Sequence, residues 1–412
     1  MREPVAEPVS PSFLFEGGAE AQLTDTGLRE TLVALRRHLH AHPEVGFEEH
    51  ETSRFLRRWF VEQGFDVTGP YAGTGFTVEI AGALPGPTVG YRADMDALPI
   101  QDAKEVPYAS KCAGVAHLCG HDAHMAVACG VALLVHEARG RMAGSVRLLF
   151  QPCEEKSPSG APRMIAEGAT EGLEAIYAIH VDPTLAVGRF GLRVGALTAA
   201  CAPWRMRVTS GQAGHSARPH ETVDTIWVAT QILNHLYQLA GRVTDARKPA
   251  VLTVTRFHGG EAFNVIPGTV EFGGSLRGTD REGFAFLREK MRRVAGALGA
   301  LYGADVDVDF LDDLPAVMNT AAEVETIRQA VLARFGPEAV KDLPIPSMGG
   351  EDFAWYLEKL PGALVRVGSA TGPETRYPLH HARFDIDEAA LPLAAHLMAE
   401  VLLLHLGRAA AA

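Results

Sequence analysis

Six consecutive segments between Trp204 and Phe310 follow one another in an order that few folds can accommodate. WRMRVTSG reads as a strand, ETVDTIWVATQILNHLYQL as an amphipathic helix and AVLTVTRF as a second strand. TVEFGGSL then reads as a strand, REGFAFLREKMRRVAGALGALYG as a helix and DVDVDF as an alternating strand. The order β-α-β-β-α-β, over about 110 residues, is the split βαβ pattern of a ferredoxin-like unit that closes its own core. Such a unit in mid-chain implies insertion into another domain. The expected boundaries are 201–314 for the insert, with 23–200 and 315–412 forming one discontinuous host.

The host reads as α/β. Leu32, Leu35 and Leu39, then Phe55, Leu56 and Phe60, recur at helical spacing through Leu23–Gly64, with a break in HLHAHPEVGFEE where Pro43 and Gly46 interrupt. Phe76–Ile80, Thr88–Tyr91 and Val146–Phe150 read as short buried strands, and helical segments, Ala123–Ala138 among them, separate the last two. Ala321–Phe335 and Ala389–His405 complete the domain as helices. Residues 1–22 read as a loose leader and the final alanines as a frayed end.

Composition removes several functional classes. The net charge is -12, the pI is about 5.8, and Lys and Arg are scattered without runs, so neither nucleic acid nor an anionic membrane is an expected partner. The N-terminus lacks an apolar signal core, and apolar stretches such as Met125–Val135 are too short to span a bilayer. The 5 cysteines, at 112, 119, 129, 153 and 201, show no paired spacing, which favours free thiols and a cytoplasmic setting.

One cysteine stands in AHLCGHDAHMA, where His117, Cys119, His121, Asp122 and His124 crowd together. A buried thiol among chance histidines would explain it, and so would a metal site of thiolate and imidazoles. Four further stretches carry matching chemistry. RADMDALP places Asp94 and Asp96 at a strand end, and FQPCEEKS places Glu154 and Glu155 after another. AIYAIHVDP ends an apolar run at His180, and PLHHARFDID offers His380 and His381. Each alone fits a solvated loop or a structural histidine. Together they supply the donor mixture for divalent cations, with carboxylates in number for two ions and a proton-transfer group.

RHLHAHPEVGFEE, RADMDALP, HLCGHDAH, FQPCEE, GHSARPH, NVIPG and GGEDF, in that order, resemble the motifs of the hippurate hydrolase and auxin–amino acid conjugate hydrolase family. These are amidohydrolases of the co-catalytic metallopeptidase group. The resemblance implies a metal-binding α/β domain with an inserted ferredoxin-like lid, through which a homodimer would form. It implies cleavage of N-acyl-amino acids, with a metallo-dipeptidase or carboxypeptidase on the same scaffold as the alternative. Two divalent ions (Zn, Mn, Co or Ni) would be held by Cys119, His121, Glu155, His180 and His380, with the thiolate bridging and His381 the less favoured choice at the last position. Asp96 and His124 would orient ligands, and Glu154 would be the general base. His215 would donate to the oxyanion, while Asn264 and Arg277 would bind substrate. KSPSGAP replaces the glycine-rich run usual after the two glutamates, and TAACAPWRMRV lacks the acidic residue usual at the lid entry. Both departures point to Lys156 and Trp204 as specificity residues.

Overall fold

The computed structural model describes residues 25–245 and 247–409, so the expected leader and the last alanines lie outside the described residues. The chain divides into two units. One runs through Gly195 and resumes over Asn319–Pro344 and from Trp355, and the other comprises Ala196–Met318 and Ile345–Ala354. The second unit is thus longer at both ends than the 201–314 read from sequence, and it includes the Gly349–Asp352 motif.

The second unit carries a four-stranded antiparallel sheet in the spatial order Ala250–His258, Thr269–Gly278, Ala200–Thr209, Asp305–Phe310. Helices Thr225–Val243 and Arg281–Tyr302 connect them, which completes the β-α-β-β-α-β order. Val228, Ile232 and Leu236 of the first helix and Leu287, Met291 and Ala295 of the second are buried. They pack with Met206, Val208, Val270, Phe272 and Leu276 of the sheet, so a helical 3.6 period meets a strand period of 2 in one apolar layer. Asp224 and Asp280 cap the two helices, accepting from the Trp227 and Gly283 amides.

An eight-stranded mixed sheet centres the first unit. Its four middle strands, Ala143–Gln151, Leu84–Asp94, Leu173–Ala186 and Gly362–Ala370, are mutually parallel. Gly75–Ala81 and Asp66–Tyr71 extend it antiparallel on one side. The strands expected at Phe76–Ile80, Thr88–Tyr91 and Val146–Phe150 lie inside longer ones. The antiparallel extension was not legible, since apolar runs do not record direction. Parallel strands bring their C-terminal ends to one edge, and loops that leave that edge share a crevice.

Helix His121–Ala138 starts two residues before the expected Ala123 and shows no polar face, because every residue from His121 to Leu133 is buried. It lies against Leu84–Asp94 on one side and helices Asp25–Ala41 and Ala390–Ala409 on the other. Gly120 at its start has φ 96°, and a Cβ there would stand 2.3 Å from Val181 Cγ2, so only glycine fits. The terminal helix is long and apolar enough by composition to cross a membrane, and 56% of that window is buried in this core.

Arg36, 1% exposed, ties this helix layer together. Its Nε donates to Asp122 at 2.8 Å and its Nη2 to Asp385 at 2.5 Å. Asp122 also meets His40 Nδ1 at 2.7 Å, and both partners hold its carboxyl well below the usual range against the opposing effect of burial. Removing the cation would strand buried carboxylates. Arg36→Met is expected to lower unfolding stability in urea by about 3–5 kcal/mol. A loss under about 1 kcal/mol would show the network to be dispensable, as most exposed pairs are.

Candidate metal centre

Three loops leave the C-terminal edge of the parallel strands and meet one helix start. Asp94 ends its strand, and Asp96 lies in the loop just beyond it. Asp94 and Asp96 are 0% and 1% exposed, so they are interior groups rather than solvated loop acids. Arg92, also buried, donates through Nη1 to Asp94 at 2.5 Å and through Nε to Gln151 at 2.9 Å. Asp96 accepts the amides of Glu154 and Glu155 at 2.9 and 3.0 Å, while its carbonyl meets His121 Nδ1 at 2.9 Å. His180 does not end its strand as expected: Leu173–Ala186 continues past it, and the side chain reaches the centre from mid-strand. His380 comes from the last loop, with φ 67° and its amide donating to Leu118 O at 2.8 Å.

These placements converge five donors. Ligand atoms of Cys119, His121 and His180 lie within 4.8 Å of one another, as do those of Cys119, Glu155 and His380. The two sets share the thiol. His180 Nε2 is 3.4 Å from Cys119 Sγ, with Nδ1 engaged by the Val181 carbonyl at 2.8 Å. His380 Nε2 stands 3.2 Å from Glu155 Oε1. Both imidazoles at the first set therefore turn Nε2 inward, the orientation that a carbonyl partner on Nδ1 imposes on a metal-binding histidine.

A divalent cation fits this arrangement on two counts. His121 Nε2 and Glu155 Oε1 are buried without an aligned hydrogen bond, an unfavourable state that a cation would relieve. Burial, and then the negative charge of Glu155, push the Cys119 thiol above its usual pKa, so protein groups alone do not stabilise a thiolate there. Burial lowers His121, but Asp94, Asp96 and Cys119 outweigh it and favour the imidazolium. An ion on Nε2 would displace that proton, and loading would release protons to solvent.

His124 does not present a free nitrogen. Nδ1 meets Asp94 Oδ1 at 2.7 Å and Nε2 accepts the Val181 amide at 3.1 Å, so the ring braces the strand next to His180. His117 sits in the same stretch, buried with neither ring nitrogen hydrogen-bonded, and burial depresses its pKa to about 3. The structure gives no physical account of it. His381, the alternative ligand, stacks on Tyr377 and accepts the Arg383 amide at 3.1 Å through Nδ1, and it joins no donor set among the described residues.

The second unit pairs Gly214–His215 with Val265–Ile266 in a short ribbon, and the Ser216 amide donates to Asn264 O at 3.0 Å. His215 and Asn264 are thereby brought together. His215 Nδ1 accepts the Ala217 amide at 3.0 Å, which leaves the ring proton on Nε2. Arg277 donates one N–H to Met348 O at 2.7 Å. Trp204 is corrected: at 2% exposure, edge-on to Phe272, it is core of this unit rather than a specificity residue. Lys156 is exposed, its Nζ donating to Gly46 O at 3.2 Å. Arg92 was missed in sequence, although a lone guanidinium opening RADMD, directly after the apolar run Val89–Tyr91, is a signal of a buried ion pair.

The model of peptidase family M20/M25/M40 matches residues 90–404. The chain belongs to that family. Among its M20 relatives, an N-acetylcysteine deacetylase of Bacillus subtilis is 37% identical over 92% of this chain and 98% of its own. IAA-amino acid hydrolase ILR1-like 2 of Arabidopsis thaliana is 35% identical over 90% of this chain and 84% of its own. The crystal structure of Bacillus subtilis YXEP, a dinuclear metal binding peptidase from the M20 family, superposes with a TM-score of 0.83 at 35% identity, covering 93% of this chain and 99% of that one.

In this M20 chain the thiol common to both donor sets is the group whose loss should matter most. A hydroxyl is a far poorer anionic ligand at neutral pH. Cys119→Ser is expected to lose bound Mn²⁺ or Zn²⁺, read as metal per chain after dialysis. Full metal content in that variant would remove Cys119 from the ligand set.

Proposed function

We propose that the protein is a metal-dependent amidohydrolase that cleaves N-acyl-amino acids to a carboxylic acid and a free amino acid. The observation that carries this reading is the pair of donor sets sharing Cys119, with Glu154 grouped with His121 and Glu155 but in neither of those two sets. The named activities of the deacetylase and conjugate-hydrolase relatives support the substrate class. Cys119, His121, Glu155, His180 and His380 would hold two divalent ions (Zn, Mn, Co or Ni), as the dinuclear relative supports. Such ions, when bound, polarise a carbonyl and acidify water.

The remaining chemistry falls to side chains. Glu154 takes the proton of the attacking water on a carboxylate oxygen and returns it to the departing nitrogen, without which the C–N bond would expel an amide anion. His215, with its proton on Nε2, is suited to donate to the developing oxyanion. Asn264 would hydrogen-bond the substrate. The guanidinium N–H groups of Arg277 not engaged with Met348 would pair with the substrate carboxylate. Free cysteines throughout support a reducing, cytoplasmic setting.

The second unit would be the lid and the dimer contact. Its two sheet edges differ. Asp305, Asp307 and Asp309 place charge on one, which discourages strand pairing. The other, Ala250–His258, exposes Val251 and Phe257, and the helix Thr225–Val243 that contacts this strand also exposes Ile226 and Tyr237. Two copies of that edge can pair about a two-fold axis.

Two outcomes are expected. Against a panel of N-acetyl, N-benzoyl and N-indoleacetyl amino acids and free-amine dipeptides, the metal-loaded protein should prefer the acylated compounds. Glu154→Ala should retain metal yet lose turnover by on the order of 10³-fold. Loss of metal in Glu154→Ala would exchange the roles of the two glutamates, and a preference for dipeptides would overturn the substrate class. Sedimentation should show a dimer, and Val251→Glu with Phe257→Glu should convert it to monomer with metal content intact. A dimer that survives both changes would place the contact elsewhere.

A further inference from the structure

HPEVGFEE, between the first two helices, supplies none of the proposed ligands, yet it packs under the glutamate loop. The Glu44 carbonyl accepts the Ala97 amide at 2.8 Å, and its carboxylate caps the next helix by accepting Glu51 and Thr52 amides at 3.1 and 2.8 Å. Gly46 lies flat on Cys153: a Cβ there would stand 2.7 Å from Sγ and 3.1 Å from Cα. Glu49 is 0% exposed. One of its oxygens accepts the Cys153 amide at 2.9 Å, and the other accepts the Thr74 hydroxyl at 2.8 Å. Ser53 Oγ, donating to Thr74 O at 2.6 Å, holds that threonine in turn.

Cys153 needs holding. Its φ is 53°, a left-handed conformation that costs a non-glycine residue on the order of 1–3 kcal/mol unless its surroundings impose it. From that turn the chain presents three successive amides, of Cys153, Glu154 and Glu155, to two buried carboxylates, Glu49 and then Asp96. The two acids are close enough to repel, and burial followed by that repulsion acts to raise the Glu49 pKa against its hydrogen bonds. A single amide could be satisfied by water or by a hydroxyl. A rigid acceptor anchored at both oxygens instead fixes the direction in which the next residue leaves the backbone.

We propose that Glu49 is a positioning residue for Glu154: by clamping the Cys153 amide it sets the turn from which the Glu154 carboxylate meets the substrate. The role needs an acceptor of this length, not its charge. Glutamine keeps an oxygen for Cys153, and the Thr74 hydroxyl can rotate to accept from its amide group. Aspartate and alanine cannot reach. The assignment rests on the amidohydrolase reading above.

The test uses the full-length metal-loaded enzyme and whichever N-acyl-amino acid of the panel it turns over fastest. Glu49→Ala should keep wild-type metal content and a KM within about threefold. Its kcat should fall about 10²-fold, the scale of a 1 Å misplacement of a catalytic group. Glu49→Gln should restore kcat to within about threefold of wild type, because it rebuilds the acceptor. In the double variant with Glu154→Ala, the Glu49→Ala change should cost nothing further, since a positioning residue has nothing left to position. Should Glu49→Ala fail to fold, Thr74→Val leaves the clamp in place but unanchored and should reproduce the same pattern at about tenfold. Unchanged kcat in Glu49→Ala, or a loss that tracks metal content, or additive loss in the double variant, overturns the proposal. Failure of the metal-loaded wild type to turn over any N-acyl-amino acid of the panel would overturn the amidohydrolase reading instead, so the two failures are distinguishable.

Discussion

Asp96 is the group on which the site depends. One buried residue receives the amides of both adjacent glutamates on its carboxylate and orients His121 with its carbonyl. Its own loop position is fixed from behind, where the next amide, of Ala97, is held by the Glu44 carbonyl. Charge-assisted hydrogen bonds of this kind are short and directional, so one residue, through its carboxylate and its carbonyl, locates its own loop, the glutamate loop and a helix start relative to one another. The approach of His121 Nδ1 to the carboxylate at 3.3 Å, and then the two loop amides, offset burial and keep the carboxyl below its usual pKa.

The same economy recurs one layer further out. Arg92 and His124 converge on Asp94, Arg36 and His40 on Asp122, and the Cys153 amide and Thr74 on Glu49. Each buried acid has at least two directed donors, which is what makes an anion tolerable in an apolar interior. At the centre itself, His121 Nε2 and Glu155 Oε1 lack an aligned hydrogen bond. Buried atoms short of partners where ligand atoms converge leave a deficit that a cation would relieve.

Much of this was legible beforehand. The split βαβ order was written in a switch of hydrophobic period, and DVDVDF and Ala321–Phe335 came out at their observed bounds because alternation and helical spacing are local properties. Cys119, His121, Glu155, His180 and His380 were legible as chemistry, and the structure brings all five together. Trp204 misled because a tryptophan near an expected pocket looks the same in sequence as one that fills a core. His180 was placed at a strand end since the apolar run weakens there, whereas the neighbouring strand Gly362–Ala370 extends the pairing to Ala186.

The sequence by itself determined which donors exist, which family they belong to and which segments alternate or turn. Those follow from residue type and from spacing along the chain. Tertiary structure alone decided that Glu49 and Asp96 share one loop, that His124 has no nitrogen left for a metal, and that Cys119 belongs to two donor sets at once. These contacts join residues tens of positions apart through the parallel strand ends. Hydrophobic periodicity fixes which face of a strand is buried, but a hydrogen bond across loops depends on where several strands end together, and no local pattern records that.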